Sequence, residues 1–374
     1  MKLHIIYNEK VTQRTISVFE EVFPHQNKFI VMNKKGVSSF DTSMYHSNIV
    51  FVDGTSKEEL REAVGDTSAY QHIILHFLNE FVAEALSKVN HPSIFWIEWG
   101  GDLYVNLLRP RGFKLYENEA LFFKTTRPHI PVPIAKVLYS VKRKIVQRTI
   151  VRFVKKVKYF VPDSMPGEYD LLLSYYPELS HLQYRSFFYY PIDSIIKNTE
   201  LISKGGNIMV NHSASVSGNH AGVFMRLSEL ELGTKKIIVP VSYGNKTYAS
   251  YLEDLGTSLF GPKVIMIKEF MELSKYNELL CDCNVFIYGH YRQEAVGNIL
   301  VALYLGGKVF LYERNPLYGF YKSLGLNLFS IDADLNSESI RTKLSVDQIN
   351  ENKRILNDYY SMEQMKLNVR KSFE

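Results

Sequence analysis

The residue types best suited to chemistry on a phosphorylated ligand cluster between Asn284 and Tyr318. Gly289, His290, Tyr291, Arg292, Gln293 and Glu294 form one polar loop, and Glu313, Arg314 and Asn315 form another. Arg292 offers a planar fork of donors that suits a diphosphate, and Glu313 offers a carboxylate that suits ribose hydroxyls. Gly297 and Asn298 follow the first loop, where a helical pattern begins. Free N–H groups and the positive end of the helix dipole attract a phosphate at such a point. These residues read as half of a nucleotide-diphosphate site. The alternative is an ordinary crossover with a solvated polar loop, since the chain has neither a Gly-rich dinucleotide fingerprint nor a P-loop pattern.

The elements that must position these residues are legible around them. Residues 285–288 are an apolar run of strand length. Val296, Ile299, Leu300, Leu303 and Tyr304 recur at helical spacing over 294–305, Gly306 and Gly307 end the helix, and 308–312 is a second strand. Strand, helix and strand in one sheet make a right-handed parallel crossover, whose ligands sit beyond the carboxyl ends of the strands. A second polar loop over 211–220, rich in Ser213, Ser215 and Ser217, also follows a strand and precedes a helix. It reads as a phosphate cradle, or as a polar turn with Ser217 or Asn219 as the N-cap. A third stretch, 93–104, puts Trp96, Trp99, Gly100, Gly101 and Asp102 at a strand end, as a pocket wall or as an aromatic turn beside the core. His72 and His76 have the spacing of metal ligands on a helix, but they fall in a strand and no Glu follows the first, so no metal is expected there. Asp332-Ala333-Asp334 imitates a paired-aspartate metal motif, and its place after the last strand predicts a helix cap.

The whole chain fits a soluble α/β protein of two domains. It has 374 residues, 46% apolar and 22% charged, with no apolar run long enough to span a bilayer and no pattern of a signal peptide. Cys281 and Cys283 are too close in sequence for a framework disulfide and read as free thiols, which predicts a cytoplasmic location. Strands are expected at 2–7, 28–32, 48–52, 72–76 and 93–97, with helices at 14–23, 57–64 and 79–88. A second strand series is expected at 207–211, 236–241, 263–267, 285–288, 308–312 and 328–331. Domains of 1–200 and 201–345 with a cleft between them follow, and a helical tail, 346–374, packs back on the first domain. The net charge of +5 is uneven, because residues 135–160 contain no acidic residue and alternate Lys and Arg with apolar side chains. This segment predicts an amphipathic helix, a strand at 159–161 and an anionic membrane surface as partner. A solvated helical face is the alternative. No nucleic-acid-binding motif accompanies the segment.

The segment Phe95-Trp96-Ile97-Glu98-Trp99-Gly100-Gly101-Asp102-Leu103-Tyr104, the 211–220 loop, Glu269 and Glu272, and the Arg292-Gln293 to Asn315-Pro316 unit together resemble a known family. It is that of the TDP-N-acetylfucosamine:lipid II N-acetylfucosaminyltransferases, bacterial enzymes of enterobacterial common antigen assembly. The resemblance covers most of the chain in matching order. It implies a GT-B architecture, two facing Rossmann-like domains with the nucleotide-sugar held by the C-terminal one and a lipid-linked acceptor approached by the N-terminal one. On matching positions, Ser213, Ser217, His220, Glu269, Glu272, Tyr276, Arg292, Gln293, Gly297, Asn315 and Pro316 fall to the donor half. His4, His76, Trp96, Trp99, Gly100, Asp102 and Tyr104 fall to the acceptor half. The implied setting is the cytoplasmic face of the inner membrane.

Sugar transfer needs help for the departing diphosphate and, with inversion, a base for the acceptor hydroxyl. Helix N-termini and Arg292 supply the first without a metal or other cofactor, with Asn298 and Glu313 beside the donor. Asp102 is the first candidate for the base, because a partly apolar wall of Trp96 and Trp99 raises a carboxyl pKa. Glu98 and His76 are the reserves, and Asp102 as the cap of a turn is the alternative. Trp96, Trp99 and Tyr104 would form the acceptor's aromatic wall. Two other classes share such domains: a non-catalytic nucleotide- or glycan-binding scaffold, and a nucleotide-sugar epimerase.

Overall fold

The computed structural model describes residues 1–34, 39–43, 48–162, 165–196 and 202–374. The boundary expected at residue 200 lies outside the described residues. By their internal contacts the described residues form two compact units. Unit 1 comprises Met1–Phe113, Ser140–Tyr189 and Met362–Glu374. Unit 2 comprises Lys114–Tyr139 and Tyr190–Ser361.

Unit 1 is built on a seven-stranded parallel sheet of β1 (Lys2–Tyr7), β2 (Asn27–Asn33), β3 (Asn48–Asp53), β4 (His72–His76), β5 (Ile94–Ile97), β6 (Tyr159–Val161) and β7 (Gln183–Tyr184). The strands lie in the order β3-β2-β1-β4-β5-β6-β7. Leu3, Ile5, Ile6, Ile30, Ile73, Leu75 and Ile94 are buried to the last per cent or two, as strands covered on both faces require. Unit 2 repeats the plan with six parallel strands: β8 (Asn207–Val210), β9 (Ile237–Pro240), β10 (Val264–Ile267), β11 (Cys283–Tyr288), β12 (Lys308–Leu311) and β13 (Phe329–Ser330), in the order β10-β9-β8-β11-β12-β13. In both sheets the order reverses beside the first strand of the unit, between β1 and β4 and between β8 and β11. Adjacent connections leave to opposite faces there and open a crevice at the carboxyl ends.

Helices depart from expectation where side chains rather than periodicity decide. The helix expected over 79–88 is only Glu80–Ala85, started by Asn79, whose Oδ1 accepts the Val82 N–H at 2.9 Å. The basic helix begins earlier, at Val132, with Pro133 in the first turn where its missing N–H costs nothing, and runs to Val154. The stretch after β5 winds into a wide π-helical segment, Gly101–Leu108, followed by the turn Arg109–Arg111 and the helix Glu119–Thr126. The tail is two helices, Val346–Tyr360 in unit 2 and Met362–Phe373 in unit 1. Asp332-Ala333-Asp334 does not cap a helix. Asp334 accepts the Ser330 N–H at 2.7 Å, Asp332 pairs with Arg226 at 3.3 Å, and Asn336 caps the helix Ser337–Arg341.

Candidate functional site

In unit 2 the crevice is closed by asparagines. Asn211, just beyond β8, takes a left-handed backbone (φ 56). Its Oδ1 accepts the Gly289 N–H and its Nδ2 donates to the Gly218 carbonyl, both at 2.9 Å. Asn219 (φ 50) donates to the Gly289 carbonyl at 2.9 Å and accepts the Glu117 N–H at 2.8 Å. Asn219 also stands at the N-cap of the helix His220–Ser228, but its side chain makes no cap bond there. The loops pass so closely that a Cβ on Gly289 would lie 2.4 Å from the Gly218 oxygen. Asn315 donates to the His290 carbonyl at 3.0 Å and caps the helix Pro316–Ser323 through the Leu317 N–H. The ends of β8, β11 and β12 are thereby tied together.

This clasp holds up a largely buried acid. Glu294 accepts from the Ser217 hydroxyl at 2.7 Å and from Arg292 at 2.8 Å, and His290 Nε2 stands 3.6 Å away. Burial pushes its carboxyl up, but the Arg292 guanidinium, then His290, His212 and the Ser217 hydroxyl, outweigh it and hold the group at about 2. Burial also drives His220 and His290 down to about 3, so both rings are neutral at physiological pH. Arg292 spends one guanidinium nitrogen on Glu294 and another on the Gln293 carbonyl at 2.9 Å. Its Nε is buried with no hydrogen-bond partner among the described residues. Ala295, left-handed at φ 66, turns the chain into the helix Val296–Tyr304, with Gly297 and Asn298 in its first turn.

Beside Glu294 lies a cavity of about 390 Å³, with polar walls of Ser213, Ser215, Ser217, Tyr243 and Asn245. Its third side comes from the segment 114–139, through Tyr116, Phe122 and Thr126. Tyr116 and Phe122 are stacked at 4.3 Å, and the Thr125 carbonyl accepts from Asn245 at 3.1 Å. The structure therefore brings Ser213, Ser217, Arg292 and Gln293 to one edge with Gly297, Asn298 and Asn315, and buries His220 behind them. It leaves Glu269 exposed beyond β10 and Glu313 exposed beyond β12. Sequence reasoning placed Glu294 on this edge without a role, because Ser217, its hydroxyl partner, is far away in the chain. It missed the 114–139 wall, which carries no motif.

In unit 1 the expected wall is largely interior. Asp102 is fully buried, with Oδ2 accepting from Trp96 Nε1 at 2.7 Å and from the Leu78 N–H at 3.0 Å, and Oδ1 from the Trp99 N–H at 2.9 Å. Burial raises its pKa, as expected, against the pull of these donors. Glu98 is also fully buried. Its carboxyl accepts the Gly100 N–H and is held well above the usual range by burial, then by the charges of Glu168 and Asp102. Trp96 packs in the core against Phe160, and Tyr104 donates to Glu168 at 2.7 Å, so neither ring is free to stack on a sugar. Trp99 is half-buried, edge-on to Tyr189 at 5.5 Å.

His76 belongs to a directional chain. Asn27 Nδ2 donates to the Phe19 and Phe23 carbonyls and to Glu20, so its Oδ1 is the acceptor that faces His4 Nε2 at 3.2 Å. That assigns the proton to His4 Nε2, leaves its Nδ1 to accept from His76 Nε2 at 3.1 Å, and leaves His76 Nδ1 to accept the Tyr189 hydroxyl at 2.7 Å. Burial lowers His76 to about 3. Its one lone pair is taken by Tyr189. Among the described residues no group of three or more His, Cys, Asp or Glu is placed to hold a metal ion.

Two doubly wound parallel sheets, one to each unit, with their polar loops at the carboxyl edges make up the architecture of the GT-B fold. Solved structures of this architecture include sucrose-phosphate synthase from Thermosynechococcus elongatus (9% identity, TM-score 0.62, 99% of this chain and 98% of that one). The Anabaena HepE protein in complex with UDP and glucose (11%, 0.61, 99% and 98%) and a glycosyltransferase from Rickettsia africae (10%, 0.62, 99% and 97%) also share it. At such identity the likeness is one of fold. The family model of the 4-alpha-L-fucosyltransferases, glycosyl transferase group 56, matches residues 171–362, just over half of the sequence, and the chain belongs to that family. The protein is thus a sugar-transferring enzyme, and the epimerase and scaffold readings give way.

Two measurements check this geometry. Gly289→Ala forces a methyl against a backbone oxygen and should cost about 1–3 kcal/mol in a urea unfolding experiment. His220 and His290 take up a proton near 6.5 when unfolded but only near 3 when folded, so each withdraws stability as pH falls below 6.5. Glu294 withdraws more between 4.5 and about 2. By pH 5 the loss is roughly 1–2 kcal/mol per histidine, and unfolding midpoints of His290→Gln at pH 7 and pH 5 should differ less than those of the wild type.

Proposed function

We propose that the protein moves a sugar, a 4-acetamido-4,6-dideoxyhexose or a relative of it, from a nucleoside-diphosphate donor held by unit 2 to a lipid-linked saccharide. The step belongs to bacterial surface polysaccharide assembly on the cytoplasmic face of the inner membrane. The observation that carries the reading is the largely buried Arg292–Glu294 pair at the switch point of the second sheet. Arg292 keeps one buried N–H without a partner, which a diphosphate oxygen would satisfy, and the first turn of Val296–Tyr304 adds amides and dipole to the departing phosphate. Glu294, ionised at any physiological pH, accepts from donor hydroxyls, and the 390 Å³ cavity beside it is of a size for a sugar.

Unit 1 takes the acceptor. Asp102 serves here as a positioning residue, because its oxygens already accept three buried donors and fix the turn that presents Trp99. Glu98 supports the same turn through Gly100. Trp99 is the ring left to meet a saccharide. The group 56 membership and the resemblance of the Phe-Trp-x-x-Trp-Gly-x-Asp-Leu-Tyr segment support the lipid-linked acceptor.

A ligand that binds only the folded state raises the melting temperature. In a panel of TDP, UDP and GDP with CMP as control, one diphosphate is expected to shift the wild type and to lose that shift in Arg292→Ala. Transfer should fall roughly 100- to 1,000-fold in the same variant, with nucleoside diphosphate released only when a lipid-linked acceptor is present. No shift with any diphosphate would overturn the donor site.

A further inference from the structure

The helix Val132–Val154 turns an unusual face outward. At about 100° per residue, Ala135, Val146, Ile150, Phe153 and Val154 share one side, and all five are buried. The opposite side is divided along its length. Toward its N-terminus it carries Ile134, Val137, Leu138 and Val141, and just past the midpoint Ile145, each more than half exposed, at 51–63%. Its C-terminal half and the residue just beyond carry Lys144, Arg148, Arg152 and Lys155, also exposed and within the same arc.

None of these four cations has a hydrogen bond or ion pair among the described residues, although like charges four apart on a helix repel. They line a groove of about 540 Å³ together with Arg111, Gln147, Val151 and Pro110, and no carboxylate lines it. Arg111 is held in place by Glu178 at 2.6 Å and by the Tyr176 ring, 4.2 Å beneath its guanidinium. The helix's two aromatic rings both turn inward: Tyr139 packs on Phe122 and Phe123, and Phe153 is buried. The exposed face therefore offers aliphatic side chains and cations but no stacking platform of the kind single-stranded nucleic acid uses.

We infer that this helix docks the enzyme on an anionic phospholipid bilayer in two parts: the aliphatic stretch from Ile134 to Ile145 enters the acyl boundary while the groove at Arg111, Lys144, Arg148, Arg152 and Lys155 takes headgroup phosphates. The inference rests on the reading of the acceptor as lipid-linked and specifies the surface that meets the lipid. Each cation near such a surface strengthens partitioning about fivefold.

The experiment is co-sedimentation of the full chain with vesicles of phosphatidylcholine alone or with added phosphatidylglycerol. Binding is expected only with phosphatidylglycerol, and it should weaken about 25-fold in Arg148→Gln/Arg152→Gln. The melting temperature and the diphosphate shift of that variant should stay at wild-type values, since both residues are exposed and lie outside unit 2. Insertion is read separately: Ile145→Trp fluorescence should be quenched by brominated acyl chains, and Arg152→Trp should not. Unchanged binding of the double variant to phosphatidylglycerol vesicles, or no quenching at Ile145→Trp, overturns the inference and leaves membrane binding to another surface. Binding to an oligonucleotide but to neither vesicle would assign the groove to nucleic acid and overturn it as well. Loss of the diphosphate shift in wild type would instead fault the donor reading, whatever the vesicles show.

Discussion

The passage of the Gly218 and Gly289 backbones within contact distance is the constraint on which unit 2 depends. Two asparagines with left-handed backbones clasp Gly289 by its N–H and its carbonyl, so the loop after β11 has no freedom to drift. Phe77, Asn211, Asn219 and Ala295 are four of the non-glycine residues with positive φ among the described residues, and each lies just beyond a central strand or at the start of the helix that follows. Such backbones persist only where their surroundings over-determine them. The clasp supplies that surrounding, and Glu294 can stay ionised while largely buried because the loop carrying it cannot relax away from Arg292 and Ser217.

Unit 1 solves the same problem with interior polar groups. Asp102 gathers one indole N–H and two backbone N–H groups around a single carboxylate, and the His4–His76 pair relays one donor direction from Tyr189 to Asn27. Buried networks of this kind fix a structure only when every donor finds an acceptor. Here they stiffen the carboxyl edge around Trp99.

The strands other than β7 were legible because each is a short apolar run bounded by turn residues, whereas β7, Gln183–Tyr184, is two residues with no such run and was not expected. Even β6, of three residues, stands where the alternation after the basic segment placed it. The gathering of the unit 2 loops at one edge was legible for a related reason, since loops that follow buried strands in an α/β sheet reach the carboxyl edge wherever the chain goes next. The aromatic segment misled because Trp, Gly and Asp compose a pocket wall and a buried turn equally well. Whether Trp96 faces inward depends on Phe160, and whether Asp102 meets water depends on Leu78. Those partners are tertiary. So is the attachment of 114–139 to unit 2, carried by the Glu117–Asn219 bond and by Leu121 in the core around Phe224.

That attachment bears on how the chain is made. Unit 2 takes its third cavity wall from a segment synthesised before β6 and β7 of unit 1, and unit 1 takes the helix Met362–Phe373 from a segment synthesised after all of unit 2. Domains generally fold as units during N-to-C synthesis, but neither unit here is complete until the other has largely emerged. On the ribosome the first sheet must wait, the cover of the helix Thr12–Val22 missing where Phe373 will meet Phe19, until the last turn of helix is released. A single cut anywhere in the sequence would therefore leave at least one unit without a piece of itself.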